Sequence, residues 1–122
     1  MNACGTGPAH LAHEFTQAPP PAAQEGIPVL QFGIFDHLDS DGRPLGDFFR
    51  RRLDLIALIE AGGFAGYHLA EHHSTPLGMA ASPSVFLAAA IARTSTLRLG
   101  PLVYVLPLYH PLRLYEEICM LD

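Results

Sequence analysis

The 122-residue chain is 49% hydrophobic and 16% charged, with 11 Gly and 11 Pro, which supports one compact domain with a real core and no more. All seven of its basic residues are arginines, against twelve Asp and Glu, for a net charge of −5; this excludes the clustered positive surface that nucleic acid or an anionic membrane requires. Cys4 and Cys119 stand near opposite ends in neither metal nor redox spacing, no apolar stretch is long enough to span a bilayer, and the first cation is Arg43, so a soluble protein of the reducing cytoplasm is expected.

Residues 1–26 are rich in Ala, Pro and Gly, include the run PPPAA, and show no sustained apolar period. Such a segment buries too little surface to offset its ordering entropy and is expected to be a flexible tail, with His10 and His13 incidental to it. The folded domain is expected over residues 27–122. VLQFGIF (29–35) is an apolar run of strand formers and predicts a buried strand, followed by the loop DHLDSDGRPLG. Asp47 is the expected cap of a helix from about residue 48 to 61, whose Phe49, Leu53, Ile56 and Ile59 recur at helical spacing. Gly62 and Gly63 supply its left-handed stop. GYHLA (66–70) predicts a second strand that runs into EHHSTPLGM. Ser82 and Pro83 then open an Ala-rich second helix as N-cap and first helical residue. LRLGPLVYVLP (97–107) predicts a third strand with an irregularity at Gly100-Pro101, because Pro donates no ladder hydrogen bond. His110-Pro111 opens a third helix that continues to the last residue.

The β-α-β-α-β-α order with near-continuous apolar strands predicts an α/β fold with parallel strands covered by helices. Either an open doubly wound sheet or part of a (β/α)8 TIM barrel satisfies it. A whole barrel takes about 250 residues, so this chain would hold about three of the eight units. No GxxxxGK[ST] segment is present, and the first strand runs into Asp36-His37 rather than a GxGxxG turn. Both absences favour the barrel over an open nucleotide-binding sheet.

Glu71-His72-His73 follows the second strand directly, on the face where parallel α/β folds bind ligands. A solvated loop start is the bland reading. Zinc needs ligands converging from several elements, and adjacent histidines on extended chain point opposite ways, so a metal site is not expected. The sharper reading is one histidine facing a pocket as proton donor or acceptor, with Glu71 orienting it or touching a cofactor. GPLVYVLP reads either as a buried barrel strand or as a flat apolar shelf for an aromatic ring system. Asp36 and His37 would line the same rim, His110 would precede and cap the third helix, and His68 would be a core histidine.

Taken together, EHH, a Pro-started Ala-rich helix, a strand ending VLP, and then HP…E…LD resemble the N-terminal barrel segment of the bacterial luciferase-like flavin monooxygenase family, over roughly residues 29–122. The resemblance implies a (β/α)8 barrel that binds reduced FMN, or in some relatives the deazaflavin F420. It implies an enzyme that uses O2 and a separate flavin reductase to oxygenate a small organic substrate. It assigns His72 to proton transfer during the flavin-oxygen chemistry, Glu71 to the neighbourhood of the flavin ring, and Leu102-Val103 to the ring's support, where the family often has a non-proline cis peptide. It also implies dimerisation of the full-length form through the second and third helices. The family's fourth to eighth strands are absent, so a partial reading frame, inactive by itself and without micromolar flavin affinity, is expected. The rival readings are a noncatalytic structural or dimerisation partner, which would not need His72, and a metal hydrolase built on His72 and His73.

Overall fold

Three short strands alternate with three helices along residues 30–122, the part of the chain that the computed structural model describes. In order they are β1 (Gly33–Asp36), α1 (Leu45–Ala61), β2 (Gly66–Leu69), α2 (Pro83–Ile91), β3 (Arg98–Pro101) and α3 (Pro111–Leu121), with one 3-10 turn at Leu106–Leu108 before α3. The expected tail with His10 and His13, Cys4, and residues 27–29 of the expected domain lie outside the described residues. The strands pair in parallel in the order β1-β2-β3, with Phe35 beside His68 and His68 beside Gly100.

Strand periodicity decides which face is covered. Tyr67 and Leu69 are fully buried, and with partly buried Ile34 and Leu99 they pack against the helices in a core that includes Phe48, Ile56, Phe86 and Leu87. The opposite face stays open. Phe35 is 48% exposed there, and His68, expected in the core, is exposed because it alternates with Tyr67 and Leu69.

The helix boundaries follow local chemistry. α1 starts at Leu45, ahead of the expected cap at Asp47, because the Pro44 carbonyl accepts the N–H groups of both Asp47 and Phe48. Asp47 instead lies in the first turn and pairs with Arg50, where a carboxylate suits the helix dipole. The stripe that α1 buries is Phe48, Ile56 and Ile59, with Phe49 and Leu53 partly buried. Gly63, at φ +78°, is the left-handed residue that follows this helix. Ser82 and Pro83 occupy the expected N-cap and first helical positions of α2, and α3 begins at Pro111 with His110 before it.

β3 is shorter than expected and regular through Gly100 and Pro101. The Arg98 and Leu102 N–H groups point to β2, donating to the Ala65 and Leu69 carbonyls, so the odd-numbered residues between them face the other way. Pro101 therefore turns its missing donor to the outer edge, where no neighbouring strand requires it. The irregularity comes one residue later, at the cis Leu102–Val103 peptide. Among the described residues no helix is long and apolar enough to cross a membrane.

Candidate active site at the carboxyl ends of the strands

All three strands deliver their next residues to the same end of the sheet. The Ala70 N–H donates to the Asp36 carbonyl and the Leu102 N–H to the Leu69 carbonyl, so the chain stays laterally bonded as it leaves β1, β2 and β3. Asp36-His37, Glu71-His72-His73 and Leu102-Val103 thereby become neighbours on one rim.

Asp36 is the most constrained of them. Its Oδ1 accepts the Leu38 N–H at 2.9 Å, its Oδ2 accepts the Tyr67 hydroxyl at 2.7 Å, and the Arg52 guanidinium lies 3.4 Å from Oδ2. Burial, then the hydrogen bond to Asp36 and its charge, push the Tyr67 phenol far above its ordinary range despite Arg52. Leu38, fully buried and at φ +53°, accepts the Met79 N–H at 2.9 Å and so ties the loop after β1 to the loop after β2.

His72 is half-buried, and its Nε2 lies 3.1 Å from Nδ1 of His37. The loop after β2 folds back over it at Gly78, where φ is +82° and a Cβ would stand 2.9 Å from the His72 Cβ. Only glycine satisfies both the backbone sign and the contact. His73 turns elsewhere, its Nε2 2.6 Å from Oε1 of Glu71. The two adjacent histidines thus diverge, and among the described residues no group of three or more His, Cys, Asp or Glu is placed to hold a metal ion.

The Glu71 side chain has no exposure at all. One oxygen meets His73, and the other accepts the Val105 N–H at 2.9 Å. Burial first, and then the Glu71 carboxylate, raise the Tyr109 phenol well above its usual range. Glu71 therefore clamps the segment that follows the cis peptide. Leu102 and Val103, 50% and 61% exposed, remain an uncovered apolar ledge at that end of β3. A ledge of this kind, at the same end of the sheet as a half-buried imidazole, can receive a flat aromatic ring with a polar margin. A separate cavity of about 600 Å3 opens between α2, β3 and α3, lined by Leu87, Leu99, Tyr104 and Ile118, away from His72.

The structure brings Glu71, His72, Leu102 and Val103 to one end of the sheet. The sequence did not reveal that His37 bonds to His72, that Glu71 reaches Val105, or that Tyr104 meets Ser84 across 2.9 Å. Those pairings join residues 20 to 35 positions apart in the chain, all of them outside the strands.

The architecture has close counterparts. The family model described as luciferase-like monooxygenase matches residues 30–122. The Sinorhizobium fredii protein y4wF is 55% identical over 93 residues, which cover 76% of this chain and 27% of that protein. Limonene 1,2-monooxygenase of Rhodococcus erythropolis is 40% identical over 57% of this chain and 18% of its own length. The oxygenase component of the flavin-dependent trigonelline monooxygenase of Acinetobacter baylyi is 27% identical over 76% of this chain and 26% of its own. Among solved structures, the monooxygenase RslO1 of Streptomyces bottropensis superposes with a TM-score of 0.71 at 32% identity, over 76% of this chain and 29% of that one. The oxygenating constituent of 3,6-diketocamphane monooxygenase of Pseudomonas putida, in complex with FMN, gives the same TM-score of 0.71 at 23% identity, over 76% and 26%. The chain spans about a quarter of the length of the relatives it matches. Its parallel sheet is the α/β fold of the N-terminal part of their barrels, and with a family model matching three-quarters of its residues the chain belongs to the luciferase-like monooxygenase family.

Proposed function

We propose that residues 30–122 form the flavin-facing, proton-handling quarter of a flavin-dependent monooxygenase, with reduced FMN as the cofactor and a small organic molecule as the substrate. The observation that carries this reading is the convergence of a half-buried imidazole, His72, with the exposed Leu102–Val103 ledge at one end of a parallel sheet. Reduced FMN, when bound, supplies the electrons by which one atom of O2 enters the substrate and the other leaves as water. Leu102 and Val103 would hold the ring by apolar contact and exclude water beneath it. His72 would deliver or accept the proton. Glu71 would act through Val105, holding the ledge in place rather than touching the ring. The name of the trigonelline relative, an oxygenase component, supports a separate reductase as the electron source, and the FMN bound to the diketocamphane relative supports FMN over F420. Dimerisation through α2 and α3 and a cytoplasmic setting belong to the same proposal.

The test exchanges residues 30–122 for the matching segment of the trigonelline oxygenase component. The chimera should quench FMN fluorescence and consume O2 with reduced FMN and substrate. With His72→Ala it should keep flavin binding and lose turnover about 100-fold or more. A chimera that binds F420 and not FMN would reassign the cofactor. Full turnover with His72→Ala would overturn the proton role.

A further inference from the structure

The geometry points to His37 as the proton-sharing and positioning partner of His72, so that the site holds an imidazole pair where the sequence offered a single histidine. The inference rests on the proton role proposed for His72, and its test does not require flavin.

The two rings lie within 12° of parallel, with centroids 5.3 Å apart and the facing nitrogens 3.1 Å apart. That centroid distance is the nitrogen–nitrogen distance plus about one ring radius at each end. The rings therefore meet edge to edge in nearly a common plane, as a direct N–H···N hydrogen bond requires, and do not stack face to face. A neutral imidazole offers one donor and one acceptor. At this contact either His37 Nδ1 or His72 Nε2 carries the hydrogen, never both, because two facing N–H groups would repel and break the bond.

Two consequences follow for His72. Its tautomer is coupled to that of His37, since fixing the hydrogen on one facing nitrogen decides what the other can be. The pair also accepts a proton as a unit. A proton that arrives at His72 Nδ1 allows the Nε2 hydrogen to pass to His37 Nδ1, and the His37 Nε2 hydrogen can then leave to solvent, so one proton enters and one departs. His37 is itself exposed and stands edge-on to the Phe35 ring at 4.7 Å. A Cβ at Gly78 would stand 3.2 Å from the His37 carbonyl oxygen as well as 2.9 Å from the His72 Cβ, so the Gly78 backbone passes close to both residues. Of the carboxylates adjacent to these histidines in the chain, Asp36 meets Tyr67 and Arg52, and Glu71 meets His73 and Val105. None of these intervenes in the contact between the two rings.

The experiment is long-range 1H–15N correlation spectroscopy of the full chain labelled with 15N-histidine at neutral pH. One facing nitrogen should show the protonated signature and the other the unprotonated one. In His37→Phe the His72 ring should lose its fixed tautomer and revert to the mixture of a free imidazole. His37→Gln, which restores a hydrogen-bonding group, should recover a fixed tautomer. If the wild-type rings each show free-imidazole mixtures, the inference fails, and that outcome needs no variant to fold. An unchanged His72 tautomer in His37→Phe with an otherwise native spectrum would overturn it equally. Failure of the flavin reading would appear separately, as a chimera that binds no flavin while the imidazole coupling persists.

Discussion

The rim is built from side chains that hold one another more than they hold the backbone of their own strand, and single substitutions should expose this. Gly78→Ala places a methyl 2.9 Å from the His72 Cβ on a backbone at φ +82°. A cost of about 1–3 kcal/mol is expected, read as a lower unfolding midpoint together with displaced His72 resonances. Tyr67→Phe removes only the hydroxyl that meets Asp36 at 2.7 Å, and about 1 kcal/mol should be lost, read by denaturant titration. Glu71→Gln keeps the shape but gives up the charge that faces the Val105 N–H and His73. Flavin affinity in the chimera should weaken through the displaced ledge, with the His72 contact to His37 intact. EHH stood out in the sequence because three polar residues ended an apolar strand. His37 was legible only as a rim residue, since nothing in a 35-residue separation shows which ring it meets.

At the level of elements, one carboxylate organises the entry to β3. The Glu60 Oε1 near the end of α1 accepts the N–H groups of Ser95, Thr96 and Leu97 at 2.8, 2.6 and 2.9 Å and the Thr96 hydroxyl at 3.0 Å. Desolvation opposes the charge, but these donors outweigh it, and the Glu60 carboxyl sits below its ordinary value. A carboxyl whose folded value lies below its unfolded one adds stability above the unfolded value and loses it as pH falls through the folded one. Unfolding midpoints should therefore drop on acidification below about pH 4.5, and Glu60→Ala should flatten that part of the profile while costing about 1–2 kcal/mol at neutral pH. The helices were readable from Ser-Pro, His-Pro and Gly-Gly punctuation, because local backbone preferences set those boundaries. The early start of α1 was not, since it depends on which carbonyl accepts the first free N–H groups, whereas the cis Leu102–Val103 peptide was anticipated by the family resemblance alone.

On the scale of the molecule, covered and uncovered faces differ sharply. The helices bury Tyr67 and Leu69, whereas Leu30, Phe32, Phe35, Leu102 and Val103 stay between 48% and 74% exposed. Apolar patches of that extent bind hydrophobic dyes and favour association. The chain alone should enhance the fluorescence of such a dye and sediment faster as its concentration rises; a species that sediments identically at every concentration with no dye response would contradict this. Barrel ancestry was legible because strand-helix alternation and the lack of phosphate loops narrowed the choice. The open face was not, and it is what leaves His68 exposed where a core histidine was expected.

The strand order has one more consequence. Three strands running the same way in sequence order leave two rims that are not alike, one belonging to β1 and the other to β3. Lateral joining of two copies by their backbones, if it kept the common direction, would set the last strand of one against the first of the next. A contact between unlike surfaces has no symmetry to end it, so each added copy presents the same vacant rim as the one before, and growth stops only when the arc curves back upon itself.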